Sequence, residues 1–185
     1  MTAQQLNIGS APPSFHNLPG VDGKRYSLDG FRNAKVLVIV FSCNHCPYVQ
    51  AYEDRMIAFQ REYGAKGVQL VAINSNETQN YPEDNFDEMV IRAKSKGFNF
   101  PYLRDEDQRI AEAFGATHTP EFFVFDGERT SGRQLRYHGK MDDNYRDPSA
   151  VKRRYLQEAV DAILAGKSVT EPETHSIGCT INWQY

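Results

Sequence analysis

The run VLVIVF, residues 36–41, is the feature that most constrains the fold of this chain. Its residues are all apolar and mostly β-branched, a pattern typical of a strand that is buried on both faces. Such strands occur in sheets covered by helices on either side. The run therefore predicts a central sheet in an α/β protein, and it is too short to cross a bilayer as a helix.

Helices and strands alternate after this run. Apolar residues recur at helical spacing from Pro47 to about Tyr63, and Gly64 follows as a stop signal. VQLVAIN, residues 68–74, predicts a second buried strand. The other predicted elements are a helix over 82–96, a short strand at 101–103, a helix over 105–114, a strand from 121 that turns at Asp126-Gly127, its hairpin partner over 134–139, and a helix from Pro148 that ends at Gly166.

The order of these elements is βαβα(β)αββα, after a segment at about 15–28 that we expect to add an N-terminal hairpin. Strands that alternate with helices and close on a hairpin predict a three-layer α/β/α sandwich with a mixed central sheet. The chain has 185 residues, enough for one domain with its own core. We assign residues 1–166 to the domain and residues 167–185 to a C-terminal extension that packs on it.

Composition and charge exclude several classes of partner. The formal net charge is −3 and no basic cluster is visible, so we expect no nucleic-acid partner. No apolar run is long enough to span a membrane. The N-terminal residues show neither a positive region nor an apolar region of a signal peptide, so we expect a cytoplasmic protein. In that reducing compartment, a close cysteine pair is more often catalytic or metal-binding than structural.

The stretch FSCNHCPYV, residues 41–49, places Cys43 and Cys46 between the first strand and the first helix. The first turn of a helix stabilises an anion, so thiols there titrate below the usual value of about 8.5. We expect Cys43 to be the exposed, acidic thiol that attacks and Cys46 to be the buried thiol that closes the disulfide. A ring N–H of His45 beside Cys43 would favour the thiolate and make the disulfide more oxidising.

A zinc site is the main structural alternative for this pair. Tetrahedral zinc takes four ligands, or three and a water, and the chain has no second CxxC motif. His118 and His138 are available but distant in sequence. We therefore expect no metal and no cofactor, while a metal-binding or redox-sensing module stays open as a function without catalysis.

Two motifs together resemble a known family. FSCNHCP after a buried strand, and GATHTPEFFVFDGE about seventy residues later, are similar to the thioredoxin-like superfamily. The resemblance is to the peroxiredoxin-related branch (the AhpC/TSA group, or redoxins) that carries a CxxC. It extends from APPSF at residues 11–15 to Gly139. The tail SIGCTINW also resembles that of a small group of CNHCP-bearing members.

The resemblance implies a thiol–disulfide oxidoreductase whose Cys43 and Cys46 cycle between dithiol and disulfide. It also implies a cis-proline beside the CxxC, and Pro120 is the candidate. The turn at a cis-proline can expose backbone with which a substrate chain pairs. A thiol reductant is expected to return the cysteine pair to the dithiol for the next cycle. We expect four residues to contact the substrate, a protein or small-molecule disulfide or thiol: Asn44, Pro47, His118 and Thr119. The oligomeric state stays open.

A peroxidase is the rival enzyme activity. Peroxiredoxins carry P-x-x-x-[TS]-x-x-C, and the resemblance aligns their reactive cysteine with Cys46. Cys43 then stands where they have threonine or serine, and Ile39 stands where they have proline. Because both signature residues are missing, we expect slow turnover of peroxide.

The third cysteine lies in the tail. Ile177, Cys179, Ile181 and Trp183 share one face if the segment is extended. We expect this apolar face to pack on the domain and Cys179 to be a buried, inert thiol. The alternative is that the tail folds near the CxxC and Cys179 takes part in the exchange.

Overall fold

The structure is a computed structural model that describes residues 4–127 and 132–184. The predicted sheet strands agree with the structure to within a residue or two, and the first two strands form the predicted N-terminal hairpin. The short strands at His118–Thr119 and Cys179–Thr180 were not predicted. The connection at residues 128–131, after the predicted turn, lies outside the described residues. The strands are β1 (Leu18–Pro19), β2 (Arg25–Tyr26), β3 (Val36–Phe41), β4 (Val68–Asn74), β5 (Tyr102–Arg104), β6 (His118–Thr119), β7 (Glu121–Phe125), β8 (Leu135–Gly139) and β9 (Cys179–Thr180).

The first helix agrees with the sequence prediction to within a residue, and the other three begin later than predicted. The bounds are α1 (Pro47–Gly64), α2 (Phe86–Lys96), α3 (Arg109–Phe114) and α4 (Tyr155–Leu164). The prediction of one helix over 82–96 is wrong at its start, because Pro82–Asp84 form a separate 3₁₀ turn and Asn85 caps α2 through its side chain. The prediction that the last helix begins at Pro148 is also wrong. Pro148–Ala150 form a 3₁₀ turn, and the extended backbone of Val151 ends it.

Five strands form the central sheet in the order β5-β4-β3-β7-β8. β3 pairs in parallel with β4, and β4 pairs in parallel with β5. β7 and β8 add an antiparallel hairpin on the other side of β3. The predicted mixed sheet is thus confirmed, with β3 at its centre.

The central strand separates two apolar cores. Val36, Val38 and Val40 face the core that contains the apolar residues of α1, α2 and α4. Leu37, Ile39 and Phe41 face a second core with α3, Phe15 and Ile181 of the tail. All six residues of β3 are fully buried. The prediction of a strand buried on both faces, between two layers of other elements, is therefore confirmed.

The C-terminal segment is hydrogen-bonded to the rest of the chain. The Thr174 N–H donates to the carbonyl of His138, the Ile181 N–H donates to the carbonyl of Thr117, and the Asn182 N–H donates to Oδ1 of Asn76. The predicted domain boundary at residue 166 stays a prediction. None of the described helices is sufficiently long and apolar to span a membrane.

Candidate active site

The CxxC segment lies where β3 ends and α1 begins. Cys46 is the residue that caps the N-terminus of α1, and Pro47 takes the first helical position. The positive end of the helix dipole and the free N–H groups of the first turn therefore face the Cys46 side chain. All three cysteines of the chain are free thiols in this structure.

The loop before β7 covers the cysteine pair from the other side. The peptide bond between Thr119 and Pro120 is cis, as the resemblance implied. Oγ1 of Thr119 lies 3.5 Å from Sγ of Cys43, and its carbonyl oxygen lies 3.4 Å from Sγ of Cys46. Thr119 itself is buried. The loop thus brings Thr119 into contact with both sulfurs.

A buried carboxylate faces the Cys43 side of the turn. Asp84 has no exposed surface and accepts hydrogen bonds from the Asn44 N–H (2.7 Å) and Nδ2 of Asn76 (2.9 Å). Its Oδ2 lies 2.5 Å from Nδ1 of His45, and the His45 ring stacks on Tyr81. The hydrogen bond to Cys46, burial and the charge of Asp84 together raise the pKa of Cys43.

The Cys46 sulfur lies beside the Thr119 carbonyl, an acceptor, and also beside several hydrogen-bond donors. The Cys43 thiol donates to it and lowers its pKa to about 5, with the Cys179 thiol acting in the same direction. The backbone N–H groups of Val49 and Cys179 contribute further, while burial opposes them. Cys46 is therefore the sulfur on which this site stabilises a negative charge.

The order of acidity expected from the sequence is therefore reversed. Cys43 was expected to be exposed and acidic, but it is 2% exposed and its pKa is raised. Cys46 is buried as expected, yet it carries the lowered pKa. The main reason is the hydrogen bond between the two cysteines, which raises the pKa of Cys43 and lowers that of Cys46; burial and the charge of Asp84 raise the pKa of Cys43 further.

The other predicted site residues differ in their placement. Asn44 is buried, and its side chain donates to the carbonyl of Glu83 and accepts from the hydroxyl of Tyr102. Pro47 is exposed at the start of α1. Nδ1 of His118 lies 2.8 Å from Oγ1 of Thr117. Pro47 thus faces solvent while Asn44 is bonded within the protein, and the substrate contacts of all four residues stay predictions.

The tail places Cys179 at the site. β9 pairs antiparallel with β6, with Cys179 opposite Thr119. Sγ of Cys179 lies 2.7 Å from Sγ of Cys46. Ile177 is exposed and Cys179 is only partly buried, so the expectation of one buried apolar face holds for Ile181 but is wrong for these two residues. The alternative placement, with the tail near the CxxC, is the one observed.

Comparison with known proteins agrees with this geometry. The Redoxin family matches residues 7–150. This chain belongs to the Redoxin family. An uncharacterized conserved protein from Geobacillus kaustophilus is 36% identical, with a TM-score of 0.89 and coverage of 98% of this redoxin and 94% of that chain.

Two further proteins are similar at lower identity. The thiol-disulfide oxidoreductase ResA of Bacillus subtilis (strain 168) is 27% identical over 127 residues, which are 68% of this redoxin and 65% of the length of ResA. A thiol:disulfide interchange protein of the thioredoxin family from Chlorobium tepidum is 20% identical and has a TM-score of 0.63, covering 86% of this redoxin and 99% of that chain. The last likeness supports the predicted thioredoxin-like fold.

Two residues of the redoxin site were missed in the sequence. Asp84 lay within the predicted helix over 82–96 without a role of its own, and Tyr81 carried no signal. Both residues lie between β4 and α2, and because β4 is next to β3 in the sheet, the fold places them beside the end of β3. A single sequence has no local pattern that marks such a return, so neither residue could be found from spacing.

Proposed function

We propose that this redoxin is a thiol–disulfide oxidoreductase in which Cys46 provides the nucleophilic thiolate and Cys43 is its CxxC partner. The observation that carries the proposal is the Cys46 sulfur, at the N-cap position of α1 beside the cis Thr119–Pro120 bond, where neighbouring hydrogen-bond donors lower its pKa. A lowered pKa favours the thiolate, which is the form that attacks disulfides. The similarity to ResA supports the same reaction class.

The exchange balances in two steps. The Cys46 thiolate attacks a substrate disulfide R–S–S–R′, so that a Cys46–S–S–R bond forms and R′–S⁻ leaves. The Cys43 thiol then loses its proton and attacks Sγ of Cys46, which releases R–S⁻ and leaves a Cys43–Cys46 disulfide. The substrate disulfide is reduced by two electrons and the cysteine pair is oxidised by two. A thiol reductant is required to return the pair to the dithiol.

Aromatic side chains border the site. Tyr81 stacks on His45, and Tyr48 of α1 packs against Tyr145 with ring centroids 4.6 Å apart. Tyr48 also contacts the three-cysteine cluster. Such rings provide apolar contact area for the chain that flanks a substrate disulfide. A cytoplasmic location and the nature of the reductant stay predictions.

Reduction of insulin disulfides with dithiothreitol as electron source tests the proposal. We expect turnover well above the uncatalysed rate, and Cys46→Ser should lower it by at least about a hundredfold, since removal of a nucleophile typically costs more than that. Thermal unfolding of the reduced variant controls for its folding. A wild-type rate equal to that of dithiothreitol alone would contradict the proposal.

Metal binding is a second candidate because of one specific cluster. Sγ of Cys43, a ring nitrogen of His45 and a carboxylate oxygen of Asp84 all lie within 4.8 Å of one another. Sulfur, nitrogen and oxygen donors of these types are ligands of zinc. Stoichiometric zinc after purification under reducing conditions, lost in Asp84→Asn, would favour this function. Metal-free protein that reduces insulin would exclude it in favour of the exchange.

A further inference from the structure

We infer that Cys179 is a third redox thiol of this site and closes a disulfide with Cys46. The inference rests on the proposed exchange and adds a residue to it. The two Sγ atoms are 2.7 Å apart. Because a disulfide bond is about 2.05 Å long, a small movement of the two side chains is enough to form it.

Gly178, the residue before Cys179, lies so close to the cis-proline loop that no side chain fits there. A Cβ atom on Gly178 would lie 2.1 Å from the carbonyl oxygen of Thr119 and 3.2 Å from the nitrogen of Pro120. Real Cβ atoms essentially never come so close to backbone. Only glycine therefore permits this contact with the cis-proline loop, and the contact places the next residue, Cys179, against Cys46.

The residues after Cys179 hold the tail in the same position. The Ile181 N–H donates to the carbonyl of Thr117 at 2.9 Å, and the Ile181 side chain is only 2% exposed. Nε2 of Gln108 donates to the carbonyl of Asn182 at 2.8 Å, and the Glu77 N–H donates to the same oxygen at 2.9 Å. Cys179 thus lies in an anchored segment rather than on a loose end.

This arrangement also changes where a substrate can bind. β9 pairs with the backbone of His118 and Thr119, the edge at which the sequence led us to expect a substrate chain. A segment of the protein itself therefore occupies that edge and presents a cysteine there.

Cys179 is the most accessible sulfur of the three in the site. Cys179 is partly buried, whereas Cys43 and Cys46 are 2% and 0% exposed. An incoming thiol can therefore reach Sγ of Cys179 more easily than either CxxC sulfur. Attack at Cys179 breaks the Cys46–Cys179 bond and expels Cys46 as the thiolate. Cys179 thus gives the recycling reductant an accessible point of attack.

The step balances without a further reactant. In the mixed disulfide between Cys46 and a substrate, the Cys179 thiol loses its proton and attacks Sγ of Cys46. The bond from Cys46 to the substrate breaks, the Cys46–Cys179 bond forms, and the substrate thiolate takes up the proton. Exchange between this disulfide and Cys43 moves the bond to Cys43–Cys46 without net oxidation or reduction.

Three single variants, each retaining a different cysteine pair, test the inference. Cys43→Ser keeps Cys46 and Cys179, Cys179→Ser keeps Cys43 and Cys46, and Cys46→Ser keeps Cys43 and Cys179 as the matched control. Each is oxidised with diamide, quenched in acid, and analysed by free-thiol counts and peptide mapping. Thermal unfolding of the reduced proteins confirms that each variant folds.

We expect Cys43→Ser to fall from two free thiols to none, with Cys46 linked to Cys179 in the same chain, and Cys46→Ser to keep both thiols. Two free thiols in Cys43→Ser, with a closed disulfide in Cys179→Ser, would overturn the inference and leave the proposed function intact. Closure in neither variant would overturn both. Equal closure in all three variants would show non-specific oxidation and overturn the inference.

Discussion

Cys43 and Cys46 are separated by two residues, yet their sulfurs face opposite kinds of surroundings. Cys43 lies beside the buried carboxylate of Asp84, which disfavours a thiolate. Cys46 lies at the N-terminus of α1 among thiol and N–H donors, which favour one. The comparison shows that position within a CxxC motif does not by itself decide which sulfur is ionised. The groups that the fold places next to each sulfur decide which one is ionised.

The largest expected effect of this difference is on stability. The pKa of Cys46 is about 5 in the folded reduced protein and about 8.5 in an unfolded chain. A lowered pKa contributes stability that is complete above pH 8.5 and is lost as the pH falls through 5. The stability of the wild type relative to Cys46→Ser should therefore rise with pH between about 5 and 8.5.

Urea unfolding in the presence of a phosphine reductant measures this difference at several pH values. Cys43→Ser is the matched control, because it makes the same chemical change on the carboxylate side and leaves a hydroxyl that can donate to Cys46. Its pH dependence should follow the wild type. Parallel curves for the wild type and Cys46→Ser would contradict the lowered pKa.

The tail contributes to the difference between Cys43 and Cys46, because Cys179 is one of the hydrogen-bond donors that lower the pKa of Cys46. In Gly178→Ala the new Cβ clashes with the Thr119 carbonyl, so the tail must shift. We expect a loss of about 1–3 kcal/mol in the free energy of unfolding, the usual range for overpacking, and faster alkylation of Cys179. Gly30→Ala is the control, since no described atom lies within 4 Å of its added Cβ. Equal losses in the two variants would mean that the tail contact is not specific.

A smaller effect is expected on the carboxylate side. Asp84→Asn keeps a hydrogen-bond acceptor for the Asn44 N–H but removes the charge, so the pKa of Cys43 should fall. The ¹³Cβ chemical shifts of labelled cysteines report this titration. Asp142→Asn is the control, because that buried carboxylate contacts Tyr52 and Arg55 rather than a thiol. An unchanged Cys43 titration in Asp84→Asn would rule out Asp84 as a cause of the raised pKa.

Most of the fold could be predicted from the sequence because its signals are local. The alternation of strands and helices, and the burial of β3 on both faces, follow from apolar runs and spacing. The start of α4 could not be predicted in this way. Pro148 is typical of a first helical turn, but Asp147 caps only a short 3₁₀ turn and Val151 is extended, so the helix begins at Tyr155.

The sequence predicted which loops form the site, but not the acidity of each sulfur. The CNHCP motif and the Thr119–Pro120 pair mark the correct loops, and both are brought together as the resemblance implied. The acidity of each sulfur depends on Asp84 and Cys179, which are distant in sequence and become neighbours through the sheet topology and the pairing of β9. No local pattern encodes these contacts, so the difference in acidity between the two sulfurs could not be predicted from the CxxC motif, and the roles of attacking and resolving thiol stay predictions.

The most direct test of the account is the titration of each cysteine in the reduced wild-type protein, followed through the ¹³Cβ chemical shifts. We expect the Cys46 signal to titrate near pH 5. The Cys43 signal should stay that of a thiol beyond the usual value of about 8.5, because its pKa is raised. Assignment of the two signals from Cys43→Ser and Cys46→Ser makes the result unambiguous. Titration of Cys43 at the lower pH, with Cys46 protonated at neutral pH, would contradict the account.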